Sequence, residues 1–329
     1  MRVLMSEASF GRLRGALDAH GRVLEPLLIT ADGTVLRQGR EIDIAEIGAE
    51  VVWATFDLFG GPKGRAAFAP IVAAARPKWL QSSAAGFDNP LFRQIVESGA
   101  LLTISHSMAI GVAEYVLANV LDCFQMAHAR RAAQTERAWR RVPFREVQGT
   151  NWLLIGFGAI GQEIAQRARA FGARIVGVRR TQDRHPLADR IAARTDLPTL
   201  LPEADVVVMC IPHRRETRRL ADAAFFAAMK DVAVFVNVSR GAVVDEPALL
   251  ASLQTGKPAH AVLDVFEQEP LPPEHPFWSH PRVVVTAHTS PAGDGQQARN
   301  DALFLENLRR YMAGEQLLNL ADPADVLDS

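Results

Sequence analysis

At 329 residues the chain is longer than one ordinary core, and the usual domain size of roughly 100–200 residues predicts two domains, which makes a cleft available. Apolar residues at 48% and charged residues at 22% exclude a disordered or fibrous chain and predict a sizeable buried core. A formal net charge of -1 removes any general electrostatic reason to bind nucleic acid or an anionic membrane, so any basic function is local, as in the arginines clustered between positions 167 and 194.

The two cysteines, Cys123 and Cys210, form neither a metal-spaced pair nor a disulfide framework, so no metal is expected and a reducing compartment fits. The opening Met1-Arg2-Val3-Leu4-Met5-Ser6-Glu7 meets an acid at once and lacks the apolar run of a signal peptide. No stretch reaches the roughly 18–20 apolar residues of a membrane span, so a cytoplasmic protein is expected.

In chain order, residues 2–5, 22–28, 51–54 and 78–81 read as strands, with helices over 68–75 and 89–98, which predicts a smaller α/β domain. Residues 110–129 carry alanine, leucine and valine on most faces and predict one long buried helix crossing from one domain to the other. The charged stretch 130–145 that follows reads equally well as a solvated excursion or as an arm that packs on a second subunit of a homodimer. From Thr150 onward, short valine-, isoleucine- and leucine-rich runs at 152–155, 174–178, 205–210, 232–238, 260–265 and 283–287 alternate with helical segments. Such runs are the pattern of a parallel sheet covered on both faces, and six of them make a nucleotide-binding sheet. Helical periodicity returns over 301–312, at Leu303, Leu305, Leu308 and Tyr311. The expected fold is α/β, with two Rossmann-like, doubly wound parallel-sheet domains and the active site in the cleft between them.

The string Gly156-Phe157-Gly158-Ala159-Ile160-Gly161 follows the first of those later strands and opens a helix whose Ile160, Ile164, Ala168 and Phe171 share a face. A lone GxGxxG is weak evidence, but strand, glycines, amphipathic helix and second strand together indicate a dinucleotide site. Gly156 allows the tight turn, Gly158 lets a pyrophosphate approach the backbone, and Gly161 lets helix and strand pack. The amides at the helix start, around Ala159 and Ile160, meet the phosphates with the positive end of the helix dipole. The second strand ends at Arg179, where an NAD-binding fold usually carries an acid for the ribose hydroxyls. Arg180 and Thr181 follow. This predicts NADP(H) in preference to NAD(H), with NAD(H) possible; the alternative is that these arginines are only solvated.

The C-terminal two-thirds resembles the D-isomer-specific 2-hydroxyacid dehydrogenase family, and most its glyoxylate/hydroxypyruvate reductase members. The resemblance rests on the glycine string, then Ala204-Asp205-Val206-Val207-Val208 with Ile211-Pro212 and Glu216-Thr217, then Val236-Asn237-Val238-Ser239-Arg240-Gly241. It continues through Leu263-Asp264-Val265-Phe266 with Glu269-Pro270-Leu271-Pro272, and His288. Residues 79–88 are similar to the family's substrate loop, and before about residue 75 the likeness is weak. It implies that Pro212, Thr217, Val238 and Ser239 line a cofactor groove, and that Asp264 contacts the nicotinamide carboxamide; capping a nearby turn is the other reading of Asp264. It also implies that amides around Ala85 and Gly86 meet the substrate carboxylate. The chain would return after the nucleotide domain, giving a substrate domain of 1–106 plus 291–329 and a nucleotide domain of 107–290.

The chemistry has its own logic. Hydride transfer to a keto carbon leaves charge on its oxygen, so the site needs a proton donor and a cation for the carboxylate. His288, oriented by Glu269, is expected as acid and base, and Arg240 as the carboxylate grip; each follows a predicted strand at the carboxyl edge of the sheet. The expected partner is a small 2-keto or 2-hydroxy acid, without nucleic acid or membrane. Larger 2-keto acids, phosphite oxidation and a dehydrogenase-like nucleotide sensor are the alternatives, while formate oxidation needs no Glu269–His288 pair. Ala287 where proline is common, and Thr289-Ser290-Pro291 where a glycine turn is common, leave the geometry of that loop open. His213-Arg214-Arg215 is expected to face water rather than a phosphate.

Overall fold

A computed structural model describes residues 1–19, 24–59, 62–87 and 89–328. The chain divides into two units, Met1–Ser107 with Asp294–Ser329, and Met108–Gly293.

The first unit opens with β1 (Arg2–Ser6), α1 (Glu7–Asp18), β2 (Glu25–Ile29), β3 (Val35–Arg37), β4 (Arg40–Glu41) and β5 (Val51–Ala54). It continues with α2 (Pro62–Ala75), β6 (Trp79–Ser82), α3 (Pro90–Glu97) and β7 (Leu101–Thr103). The strand order is β4-β3-β2-β1-β5-β6-β7, parallel except for β3 and β4. The expected strand at 22–28 starts later, at Glu25, with Arg22 and Val23 outside the described residues. The β3–β4 hairpin corrects the all-parallel expectation. Its turn, Gln38-Gly39, has both residues at positive φ (52° and 77°), as a two-residue hairpin requires, but glutamine in the first place gives no turn signal. Alternation along the inner strands feeds two faces: Leu4, Val52, Ala54 and Leu80 pack on one, and Val3, Met5, Val51, Trp53 and Trp79 on the other.

The second unit begins with α4 (Ala109–Phe124) and α5 (Ala127–Thr135), bent by 61°. The expected single helix over 110–129 therefore breaks, at Met126, whose φ is 51°; no glycine or proline marks the place, so apolar periodicity runs straight through it. Arg145 returns to cover that helix end, its guanidinium 4.7 Å from the Phe124 ring centre and its N–H on Phe124 O (2.9 Å). Next come β8 (Asn151–Ile155), α6 (Ala159–Ala170), β9 (Arg174–Val178), β10 (Arg190–Ala192), α7 (Leu197–Leu200) and β11 (Val206–Met209). The unit closes with α8 (Ala223–Ala228), β12 (Val234–Asn237), α9 (Glu246–Thr255), β13 (His260–Leu263) and β14 (Val283–Val285). All strands are parallel, in the order β10-β9-β8-β11-β12-β13-β14. This is a doubly wound sheet with apolar clusters on both faces, as expected. It has seven strands rather than six, because β10 is three residues long and starts with an exposed arginine.

After the second unit, α10 (Gln296–Ala313) and α11 (Pro323–Leu327) rejoin the first. The buried face of α10 keeps part of the expected set, with Leu308 buried and Leu305 and Tyr311 packed against the same cluster. It centres on Phe304, which stacks on Trp53 with ring centres 4.9 Å apart, and on Asn307. Asn307 is buried because its amide is satisfied: Nδ2 donates to Gln81 Oε1 (2.8 Å), and Oδ1 accepts from Leu318 N (2.8 Å). Among the described residues no single helix is long and apolar enough to cross a membrane.

Candidate functional site

The glycine string lies where β8 turns into α6. Gly156 has φ 106°, and a Cβ there would stand 2.3 Å from Cys210 O; at Gly161 one would stand 2.3 Å from Gly156 O. Both positions exclude any side chain. At Gly158, in contrast, a Cβ would meet nothing within 4 Å. That glycine keeps space open in front of the twelve-residue helix α6, whose start is held by no side-chain cap. Cys210 Sγ donates to Gly156 O (2.9 Å), and burial pushes its thiol up to about 12, so it remains a donor that ties the turn down.

Arg179 follows β9. Its N–H donates to Ala192 O (3.2 Å) and its Nη2 to Asp183 O (2.7 Å), while Nε is buried with no hydrogen-bond partner. An inaccessible donor left unpaired among the described residues is costly, so this guanidinium has hydrogen-bonding capacity to spare. Arg180 and Thr181 are exposed. Open space at Gly158, uncapped amides and an unpaired guanidinium donor together fit a dinucleotide carrying a 2′-phosphate. After β11, Pro212 is exposed and Thr217 is buried; Thr217 Oγ1 donates to Pro212 O (2.9 Å) and accepts from Arg214 N (2.8 Å). The expectation that His213-Arg214-Arg215 faces water holds for Arg215 alone. Arg214 is 8% exposed and His213 Nε2 is buried without a partner among the described residues, because Thr217 folds this loop back on itself.

Three loops at the carboxyl ends of β12, β13 and β14 carry Arg240, Glu269 and His288, the residues expected to react. Val238 and Ser239 are buried, and Ser239 Oγ donates to Asn237 Oδ1 (2.8 Å). Arg240 is half-buried, and its Nη1 donates to Ser239 O (2.7 Å), which sets the plane of the guanidinium. Beside it, a Cβ on Gly241 would lie 1.8 Å from the Phe266 carbonyl carbon. Only glycine lets the β12 loop touch the β13 loop there, at Phe266 and Glu267. Glu269 Oε1 accepts from Phe266 N (3.0 Å), and its Oε2 lies 2.8 Å from His288 Nδ1. An ionised carboxylate can only accept, so Nδ1 carries a proton and Nε2 is the nitrogen left for other work. Both side chains are exposed, His288 by 42% and Glu269 by 37%.

Asp264, wholly buried at the end of β13, holds the His288 loop. Its Oδ1 accepts from Thr286 Oγ1 (2.6 Å) and Thr289 N (2.8 Å), and its Oδ2 from Ser290 N (2.9 Å). Thr289 and Ser290, which depart from the usual turn, thus keep a defined geometry through their amides.

With this geometry in place, comparisons with known proteins decide the family. Residues 117–290, just over half of the chain, match the model of the D-isomer specific 2-hydroxyacid dehydrogenase, NAD binding domain. The chain belongs to this family. It is 38% identical over 224 residues to a glyoxylate/hydroxypyruvate reductase B of Citrobacter koseri, a match covering 64% of this chain and 67% of that one. A D-isomer specific 2-hydroxyacid dehydrogenase family protein from Aeromonas salmonicida superposes with a TM-score of 0.79 at 30% identity, over 98% of this chain and 99% of that one. A family member from Xanthobacter autotrophicus, solved in complex with NADPH and MES, gives 0.77 at 29% identity, over 99% and 98%. The protein is therefore a nicotinamide-dependent hydroxyacid dehydrogenase.

Sequence reasoning missed two supports of this site. Glu246, in the first turn of α9, accepts from Glu267 N (2.7 Å) and so braces the Glu269 loop; burial, with the charges of Glu267 and Glu269, pushes its carboxyl up. Thr286 was likewise unmarked. The one signal for both is position, at a strand end or helix start next to a reactive residue. In the first unit, Ala85 and Gly86 lie half-buried after β6. Ala84 N donates to Ser82 Oγ (3.0 Å) and Ala84 O accepts from Ser105 N (3.0 Å), which fixes the turn.

Proposed function

We propose that the protein reduces a small 2-keto acid to the D-2-hydroxy acid with NADPH, glyoxylate and hydroxypyruvate being the best candidates. The observation that carries this reading is the Glu269–His288 pair, 2.8 Å apart at the sheet edge next to the Arg240 loop. The named reductase activity of the Citrobacter relative supports the choice of substrate. The NADPH held by the Xanthobacter relative, together with the unpaired Arg179 donor, supports the choice of cofactor.

Gly158 and the amides of Ala159 and Ile160 would receive the pyrophosphate, and Arg179, with Arg180 and Thr181 beside it, the 2′-phosphate. Pro212, Thr217, Val238 and Ser239 would border the groove. When bound, NADPH supplies the hydride that reduces the keto carbon. Arg240 binds the substrate carboxylate through its planar fork and steadies the charge that develops on the oxygen. His288 Nε2 gives its proton to that oxygen, and Glu269 Oε2 at Nδ1 holds the ring in place and stabilises its protonated form. In the reverse direction Nε2 takes the hydroxyl proton.

Ala85 and Gly86 offer backbone N–H groups with no hydrogen-bond partner among the described residues, which suits a carboxylate. On this reading the unit Met108–Gly293 binds the cofactor and also carries Arg240, Glu269 and His288. We also read residues 130–145 as an arm for a second copy of the chain in the cytoplasm, because Trp139 and Phe144 stand exposed on it. Mixing the protein with NADPH and a panel of 2-keto acids, followed at the nicotinamide absorbance, tests the assignment. Turnover should be highest for two- and three-carbon acids. No oxidation of NADPH with any of them would refute it, and higher kcat/KM for branched or aromatic acids would move the substrate to the larger class.

A further inference from the structure

His288 occupies a backbone conformation that side chains seldom adopt, with φ at 52°. Such a residue stays in place only if its surroundings over-determine it. Here the surroundings are one carboxylate and one carbonyl: His288 N donates to Asp264 O (2.8 Å), and the neighbours Thr286, Thr289 and Ser290 all donate to the Asp264 carboxylate.

The network has one further member. Tyr115 of α4 places its hydroxyl 2.7 Å from Thr286 Oγ1. The direction of each bond follows from proton count. Asp264 can only accept, so Thr286 spends its single proton on Oδ1, and the remaining bond needs Tyr115 as donor. Burial pushes the Tyr115 phenol up to about 12, with the charge of Asp264 adding to the rise and the hydrogen bond with Thr286 opposing it, so the phenol keeps its proton at neutral pH. A hydroxyl that accepts a hydrogen bond donates a stronger one, so the chain from Tyr115 to Asp264 is mutually reinforcing. The same face of α4 touches the loop again one turn earlier, where a Cβ on Gly111 would lie 3.6 Å from Ser290 O.

We propose that Tyr115 is a positioning residue for the general acid, acting through Thr286 and Asp264 to hold the loop of His288 against helix α4. The proposal rests on the role of His288 given above. Nothing in it requires Tyr115 to touch substrate or cofactor.

A double-mutant cycle on the full-length protein, with kcat and NADPH dissociation measured for each variant, tests it. Tyr115→Phe removes only the donor, and kcat should fall roughly two- to tenfold, the range of one neutral hydrogen bond. Thr286→Val removes the link itself and should cost more, while Thr286→Ser, which keeps the hydroxyl, should recover at least about half of the lost kcat. NADPH affinity should stay within about twofold throughout, which also shows that each variant is folded. If Tyr115 acts through Thr286, adding Tyr115→Phe to Thr286→Val costs nothing further. Multiplying losses in the double variant, an unchanged kcat in Tyr115→Phe, or a loss of NADPH affinity that accounts for the whole effect would each overturn the proposal. Normal turnover in His288→Ala would instead overturn the role of His288, so the two failures are distinguishable.

Discussion

The two sheets share a design and use it differently. Each has a place where strand order reverses, β1 beside β5 in one and β8 beside β11 in the other, and open α/β sheets bind ligands at such a crevice. In the second unit the backbones close up at Gly156 and Cys210 and leave clear space beyond Gly158. In the first unit the corresponding strand ends carry side chains that pair with one another, although Asp301 Oδ1 is buried with no hydrogen-bond partner among the described residues. Asp57 Oδ2 accepts from Ser6 Oγ (2.9 Å), Ser9 Oγ (2.9 Å) and Arg12 Nη2 (3.3 Å), and Arg12 Nε reaches Asp301 (2.8 Å). Topology alone thus does not make a site. On the proposed reading, what matters is whether the polar groups at the strand ends are largely spent within the chain, as around Asp57, or left for a ligand, as at Arg179 and His288.

That contrast can be broken by substitution, and the largest effect is expected at His288. His288→Ala should lower kcat by about 10²–10⁴-fold, the usual worth of a general acid, with NADPH affinity within about twofold of the parent. Turnover near the parent value would place the proton transfer elsewhere. Arg240→Ala should cost about 10²–10³-fold in kcat/KM, divided between KM and kcat, because one fork serves both the bound carboxylate and the developing charge. A rise in KM alone would reduce Arg240 to ground-state binding. At Arg179 the effect is smaller and selective. Arg179→Asp should move the ratio of kcat/KM for NADPH over NADH by about tenfold or more toward NADH, because a repelling acid replaces a charge-assisted donor at a site weakened by solvent and salt. An unchanged ratio would show that Arg179 serves only the loop of Asp183.

The same contrast explains what could be read in advance. The later sheet was legible because its strands are continuous apolar runs, each ending in a residue type with a chemical reason to be there: glycine at 156 and 158, arginine at 240, histidine at 288. Their spacing carried the order of the loops. It carried Asp264 as the anchor of residues 286–290 only as one of two readings, the cap of a nearby turn, because two of the bonds that reveal it go to backbone amides, which have no letter in the sequence. The first unit was harder for a related reason. Its β3–β4 hairpin lacks a turn signature, and α10 buries Asn307 and Asp301, polar residues that a hydrophobic pattern places outside. Each is buried because of a partner far along the chain, Gln81 for one and Arg12 for the other. The break at Met126 fails in the opposite direction, since unbroken apolar periodicity gave no reason to stop the helix.

The smallest effect, and the one that sharpens the comparison most, is expected at Asp57. Burial by itself would raise its carboxyl, but hydrogen bonds from Ser6 and Ser9 and the charge of Arg12 outweigh that and hold it below the ordinary carboxylate value. A carboxyl depressed in the folded state adds stability that is fully present above the unfolded value, about 3.9, and is lost as pH falls through the lower folded value. Asp57→Asn should therefore cost about 1–2 kcal/mol at neutral pH, a shift of a few degrees at most in Tm for a chain of this size. The gap between parent and variant should hold from pH 7 down to about pH 4 and narrow below it, as the parent carboxyl takes up its proton. Because the bonds around Asp57 close within the first unit, kcat should change little while Tm moves. A variant with parental Tm and a collapsed kcat would reverse the contrast, and would place Asp57 among the groups held ready for a ligand.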